Sequence, residues 1–163
     1  DMATIRQARR EDCQKILQFI QELAEYEKEP DAVEASVEIL KESIFDKKQA
    51  NVVFVEENGE SIGFALYFFN FSTWRGKAGL YLEDLYVQPS HRGKGFGKLL
   101  LSYLASQAVK HNCPRFEWIV LDWNKPSIDF YEAMGAKPLS EWTVYRLENE
   151  ALQDLAKSYK EEK

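Results

Sequence analysis

The segment YLEDLYVQPSHRGKGFGK, Tyr81 to Lys98, decides how the rest of the chain is read. Its first half alternates as a β-strand does, with Leu80, Leu82 and Asp84 on one face and Tyr81, Glu83, Leu85 and Val87 on the other. A turn at Gln88-Pro89-Ser90 leads into three spaced glycines, Gly93, Gly95 and Gly97, and a helical pattern follows at once. Strand, glycine loop and helix in this order turn backbone N–H groups and a helix N-terminus toward a bound phosphate. Arg92, Lys94 and Lys98 add cations to the same loop. A nucleoside-triphosphate loop needs Ser or Thr after its lysine, and Gly97-Lys98-Leu99 does not supply it. A dinucleotide fingerprint needs a longer gap before its last glycine, whereas these glycines alternate.

Outward from that segment, the chain has the composition of an ordinary soluble domain. Its 163 residues fit one domain with a substantial core, 45% being hydrophobic and 29% charged. No apolar run is long enough to span a bilayer, and the N-terminus lacks a signal-peptide segment. Asp1 ahead of Met2 reads as a remnant and is set aside. Cys13 and Cys113 lack C-x-x-C spacing and read as reduced thiols, which fits a cytoplasmic protein. His91 and His111 form no ligand cluster, so no metal is expected. The formal charge of -6 argues against nucleic acid; it suits a cationic small substrate, and solubility alone explains it equally well.

Thr4 to Ala8 reads as a first strand. From Asp12, a possible N-cap, Ile16, Leu17, Ile20, Leu23 and Ala24 recur at helical spacing to about Tyr26 or Glu27. Ser36 caps a second expected helix to about Phe45, with Val37, Leu40 and Ile44 inward. Val52–Glu56 and Ile62–Phe69 flank Asn58-Gly59, a strong hairpin signal. Beyond the glycine loop, Leu99, Leu100, Tyr103, Leu104 and Ala108 mark a helix to about His111. A strand is expected over Arg115–Leu121. A turn then leads into a short helix with Pro126 in its first turn and Gly135 at its end. Trp142–Glu148 alternates as a last strand, and Ala151–Tyr159 reads as a C-terminal helix before a fraying Lys160–Lys163. The order is that of a mixed sheet covered by helices rather than strict βαβ alternation.

Arg92-x-x-Gly95-x-Gly97 after a strand closely resembles the acetyl-CoA pyrophosphate loop of the GNAT N-acetyltransferases. Trp123-Asn124-Lys125-Pro126-Ser127 with Phe130-Tyr131-Glu132-Ala133-Met134-Gly135 looks like the segment that holds the pantetheine arm in that family. Leu23–Glu27, Tyr81–Asp84 and Asp122–Asn124 narrow the resemblance to the diamine (spermidine/spermine-type) acetyltransferases, including their thialysine branch. It implies an α/β (α+β) GNAT fold, with a mixed, mostly antiparallel sheet flanked by helices. One acetyltransferase domain is expected over 4–148, with 149–163 as a C-terminal helix and frayed tail. The implied co-substrate is acetyl-CoA and the implied assembly a homodimer, with no nucleic-acid or membrane partner.

Acetyl transfer from a thioester to an amine needs a base, because an alkylammonium has a pKa of ~10.4. It also needs N–H donors for the tetrahedral oxyanion and a proton for the departing thiolate. The resemblance implies Glu83 as the base, acting through water, and Tyr131 as the general acid. Leu85, Tyr86 and Val87 would supply backbone donors if the strand bulges there. The co-substrate is expected on Arg92, Gly93, Lys94, Gly95, Phe96, Gly97 and Lys98, and on Asn124, Lys125, Pro126 and Ser127. Tyr26, Glu27, Trp74, Glu117, Trp118 and Ile119 match acceptor-lining positions. The polyamine enzymes carry an aspartate where this chain has Ser72, and acidic residues where it has Glu141-Trp142-Thr143-Val144-Tyr145. The expected acceptor is therefore a small cationic amine, thialysine-like or a diamine or polyamine. A protein lysine or N-terminal acetyltransferase and a non-catalytic CoA-binding module are the alternatives.

Overall fold

The computed structural model describes residues 3–160; Asp1, Met2 and the last three residues of the expected frayed tail lie outside it. The described chain falls into two compact units that meet between Ile119 and Val120. Among the described residues, no helix is long and apolar enough to cross a membrane.

The first unit is a five-stranded sheet in sequential order. Its strands are β1 (Ala3–Gln7), β2 (Asn51–Glu57), β3 (Glu60–Ser72), β4 (Lys77–Val87) and β5 (Phe116–Glu117). The first four pair antiparallel, and β5 joins β4 in parallel. At the β2–β3 hairpin, Asn58 and Gly59 both take positive φ, 52° and 83°, as a two-residue turn of primed type requires.

Alternate strand residues divide between two cores. On one side Phe54, Phe64 and Tyr86 meet helix α1 (Cys13–Tyr26) through Cys13, Ile16, Phe19 and Leu23. The Phe19 ring lies 6.1, 5.7 and 5.9 Å from those of Phe54, Phe64 and Tyr86. Leu40 and Ile44 join this cluster from α2 (Val37–Leu40) and the π-helical turn that continues it, Lys41–Asp46. Ser36 caps α2 as its sequence indicates, accepting from the Ile39 N–H at 3.1 Å. On the other side Val53, Val55, Ala65, Tyr67, Leu80 and Leu82 are buried, and α3 (Phe96–Lys110) packs across β1 to β4. Its apolar stripe is Phe96, Leu100, Leu101, Leu104 and Ala108.

Asp12 stands at the N-cap position of α1 but makes no cap bond. Its carboxylate accepts from the Arg9 N–H and from Arg6, and the Arg6 hydrogen bond holds it below the usual aspartate range. Asp12 therefore ties β1 to the turn before α1.

The second unit contains α4 (Lys125–Ala133) and α5 (Asn149–Lys157). α4 ends as its sequence indicates: Gly135 takes φ 93°, and the Ala136 N–H returns to the Tyr131 carbonyl. Two expected strands are corrected. The one over Arg115–Leu121 shrinks to Phe116–Glu117, and Trp142–Glu148 is irregular up to α5. Alternation provides a strand's side chains but not its hydrogen-bonding neighbour, and Trp142, Val144 and Tyr145 are exposed.

Candidate active site

Strand β4 positions the chemistry in the first unit, and a register shift defines it. Asp84 pairs with Leu66 but Leu82 pairs with Tyr67, so Glu83 is the extra residue of a β-bulge. The bulge sets Glu83 and Asp84 on the same side of the sheet, the side of α1. This corrects the alternation in the sequence, which sets the two carboxylates on opposite faces. Glu27, at the end of α1, completes a carboxylate group with them. Burial, then the charge of Glu83, raises the Glu27 carboxyl. Asp84 is pushed up to about 7, by burial first and then by Glu83 and Glu27. Tyr81 is raised by burial and by the charges of Glu83 and Glu117, which places Glu117 at the same end of the sheet. An ammonium ion beside such a group would relieve it.

The bulge falls two residues before the segment where the oxyanion donors are expected. Leu85, Tyr86 and Val87 keep regular register with Ala65, Phe64 and Gly63. The Gln88 N–H bonds the Ile62 carbonyl at 2.9 Å, so in this ladder Tyr86 turns its N–H toward β3 while Leu85 and Val87 turn theirs away. The Val87 carbonyl shows the same direction, since it accepts from Arg92 Nε at 3.0 Å. On that outer edge β5 pairs only with Leu80 and Tyr81. The Leu85 and Val87 N–H groups thus face the edge beyond β5. Tyr86 contributes its side chain to the core instead, and its hydroxyl donates to Glu22 Oε1 at 2.8 Å. Close packing of β3 on β4 here requires Gly63, because a Cβ would lie 2.5 Å from the Tyr86 carbonyl oxygen.

After a short 3-10 turn at Pro89–His91, the loop enters α3. Gly93 and Gly95 take φ of 79° and 86°, and the space at each Cβ position is open. The first intrahelical bond runs from the Leu99 N–H to the Gly95 carbonyl, which leaves the N–H groups of Phe96, Gly97 and Lys98 for a ligand. This backbone cradle fits the pyrophosphate of acetyl-CoA. The side-chain cations are arranged otherwise than the sequence indicates. Arg92 lies over the Tyr26 ring at 4.8 Å, and Lys94 reaches Glu57 Oε1 at 3.7 Å, where His91 Nδ1 also bonds at 3.0 Å. Lys98 is exposed on the first turn of α3, and Phe96 belongs to the core.

Of the expected acceptor residues, Tyr26, Glu27, Glu117 and Trp118 are half-buried. Trp118 stacks edge-on to Phe116 at 4.9 Å, and Ile119 is exposed. Trp74 is 90% exposed at the tip of the β3–β4 loop. Ser72, the residue in place of an aspartate, is buried and accepts from the Arg75 N–H at 3.1 Å, so its hydroxyl closes that turn. Asp84 is the residue that the sequence pattern did not single out.

In the second unit Asn124 is buried and caps α4, its Oδ1 accepting from the Ser127 N–H at 3.4 Å. Pro126 occupies the first turn, and Lys125 pairs with Asp129 at 2.9 Å. Tyr131 is half-buried beside Phe130, their rings 5.6 Å apart.

Strand, bulge, glycine loop and helix in this arrangement define an acyltransferase fold, and comparison with known proteins agrees. Residues 10–136 match the acetyltransferase (GNAT) family, and the chain belongs to it. It is 41% identical over 164 aligned positions to a thialysine N-epsilon-acetyltransferase of Bos taurus, covering 93% of this chain and 96% of the relative. It is 50% identical over 95 residues to L-ornithine N5-acetyltransferase NATA1 of Arabidopsis thaliana, covering 58% of this chain and 42% of that one. Among solved structures, an integron cassette protein from the mobile metagenome of V. cholerae superposes with a TM-score of 0.82 at 31% identity. That match covers 97% of this chain and all of the other.

Proposed function

We propose that this protein is an acetyl-CoA-dependent N-acetyltransferase acting on the primary amine of a small cationic molecule, with a thialysine-like amino acid as the favoured acceptor. The observation that carries this reading is the carboxylate group Glu27, Glu83 and Asp84, set at the bulge beside the outward N–H groups of Leu85 and Val87. The thialysine and ornithine enzymes to which the chain is similar support an acceptor of that size.

When bound, acetyl-CoA supplies the thioester carbonyl. Glu83 takes the proton of the acceptor ammonium through water, and the free amine attacks that carbonyl. The Leu85 and Val87 N–H groups stabilise the oxyanion as the new C–N bond forms. Tyr131 donates its proton to sulfur as the C–S bond breaks, and the second proton of the attacking nitrogen leaves through water, which returns a proton to the tyrosine. Glu27, Asp84 and Glu117 hold the positive end of the acceptor, with Trp74, Trp118 and Ile119 along its path. The phosphates rest on the 93–98 backbone, and the N-terminal turn of α4, from Asn124 to Ser127, supports the pantetheine arm.

The catalytic domain spans residues 4–148, and the working form is a cytoplasmic homodimer. The exposure of Trp142, Val144 and Tyr145, at 75, 71 and 92%, supports a second copy over this segment. Acetyl-CoA turnover against thialysine, ornithine, spermidine and lysine-containing peptides tests the reading. Amine-dependent CoA release is the expected result. Turnover with peptides alone would make the protein a protein acetyltransferase, and CoA binding without turnover would make it a binding module.

A further inference from the structure

The start of the glycine loop is fastened to helix α1 by side chains from both. Arg92 donates through Nε to the Val87 carbonyl at 3.0 Å, and its guanidinium lies 4.8 Å from the centre of the Tyr26 ring and 5.8 Å from that of Tyr86. One turn before Tyr26 on the same helix, Glu22 accepts from the Tyr86 hydroxyl at 2.8 Å and from Gln88 Nε2 at 3.3 Å. The remaining carboxylate oxygen of Glu22 is held by Gln18 Nε2 at 2.8 Å. Residues 86 to 92, the hinge between strand and loop, are thereby bound to α1 at three places.

Two glycines follow this hinge. Gly93 and Gly95 adopt a region of backbone space that glycine enters without penalty, and each has open space around it. Such a loop loses conformational entropy when it closes on a ligand, and an anchor at its base lowers that cost. Arg92 is the last side chain before the glycines, so its restraint decides how much of the loop is already in place.

We propose that Tyr26 is a positioning residue for the co-substrate loop, acting through Arg92. The Arg92 guanidinium lies over one face of the Tyr26 ring. The proposal rests on the glycine loop being the acetyl-CoA site. Its consequence is that a residue at the end of the acceptor helix sets affinity for the acetyl donor.

A calorimetric titration with CoA tests it. Tyr26→Ala should weaken CoA binding roughly three- to tenfold, the range of a partly exposed cation–π contact. Tyr26→Phe keeps the ring and should bind CoA normally. Arg92→Lys keeps the charge without the planar group and should resemble Tyr26→Ala. In an Arg92→Ala background, Tyr26→Ala should cause no further loss. Equal losses in both backgrounds would overturn the proposal, as would a raised amine KM with CoA affinity unchanged. If the unmodified protein fails to bind CoA, the acetyltransferase reading falls with it.

Discussion

At the scale of single residues, the bulge at Glu83 decides what this site can do. No glycine or proline marks it, and strict alternation over 80–87 separates Glu83 from Asp84. The bulge is visible only once β3 is laid beside β4, because the slip belongs to the pairing and not to either strand. The left-handed turns at Gly93 and Gly95 were legible in the sequence, but the intramolecular partners of Arg92 and Lys94 were not. Their partners, Tyr26 and Glu57, come from distant parts of the chain. Asp84 has a pH signature. Its carboxyl titrates about 7 in the folded protein and from 3.8 when unconstrained, so the folded state holds its proton more tightly. Stability is therefore lost as pH rises between those values and is level above them. Asp84→Asn should raise the thermal midpoint relative to the unmodified protein, by an amount that grows from pH 4 to 7 and then stays constant. A gain of the same size at every pH would show that the Asp84 charge is not the cause.

At the scale of elements, periodicity served where a helix or strand makes its own contacts. α1, α2, α3 and the β2–β3 hairpin lie where the apolar spacing puts them. Phe19→Ala removes a fully buried ring that meets three others, so a loss of about 3–5 kcal/mol in unfolding free energy is expected. Denaturant melts would show it as a lower midpoint, with little change in slope if the fold is otherwise kept. The junction of loop and α3 has a different sensitivity. Gly95→Asp places a side chain at φ 86° and a negative charge in the phosphate cradle. The thermal shift given by CoA should disappear, while Phe19→Ala should keep it at temperatures where that variant is folded. A retained shift in Gly95→Asp would move the binding site elsewhere. The sequence was least informative for Trp142–Glu148. Its alternation is real, but a strand exists only with a neighbour, and nothing in the segment names one.

At the scale of the whole molecule, the net charge of -6 is a poor guide to substrate, but the distribution of acids is informative. Glu27 and Glu83 act on Asp84, and Glu83 and Glu117 act on Tyr81, so the four carboxylates lie toward one end of the sheet. At the β3–β4 loop Ser72 offers a hydroxyl that is already used within its own turn. A long polyamine needs further carboxylates along its length, and each partly exposed ion pair contributes only ~0.2–1 kcal/mol. kcat/KM for thialysine should therefore exceed that for spermidine by roughly tenfold at fixed ionic strength; the reverse order would show that the distal charges are met by other groups. A final consequence follows from the departure of β5 after Glu117. The amides of Leu85 and Val87 lie on an open strand edge, whereas that of Tyr86 is locked into the ladder. Hydrogen–deuterium exchange should consequently alternate along this short stretch, fast at 85 and 87 and slow at 86. Addition of acetyl-CoA should slow the two fast positions and leave the third unchanged, giving a record of donor binding that requires neither turnover nor a substituted residue.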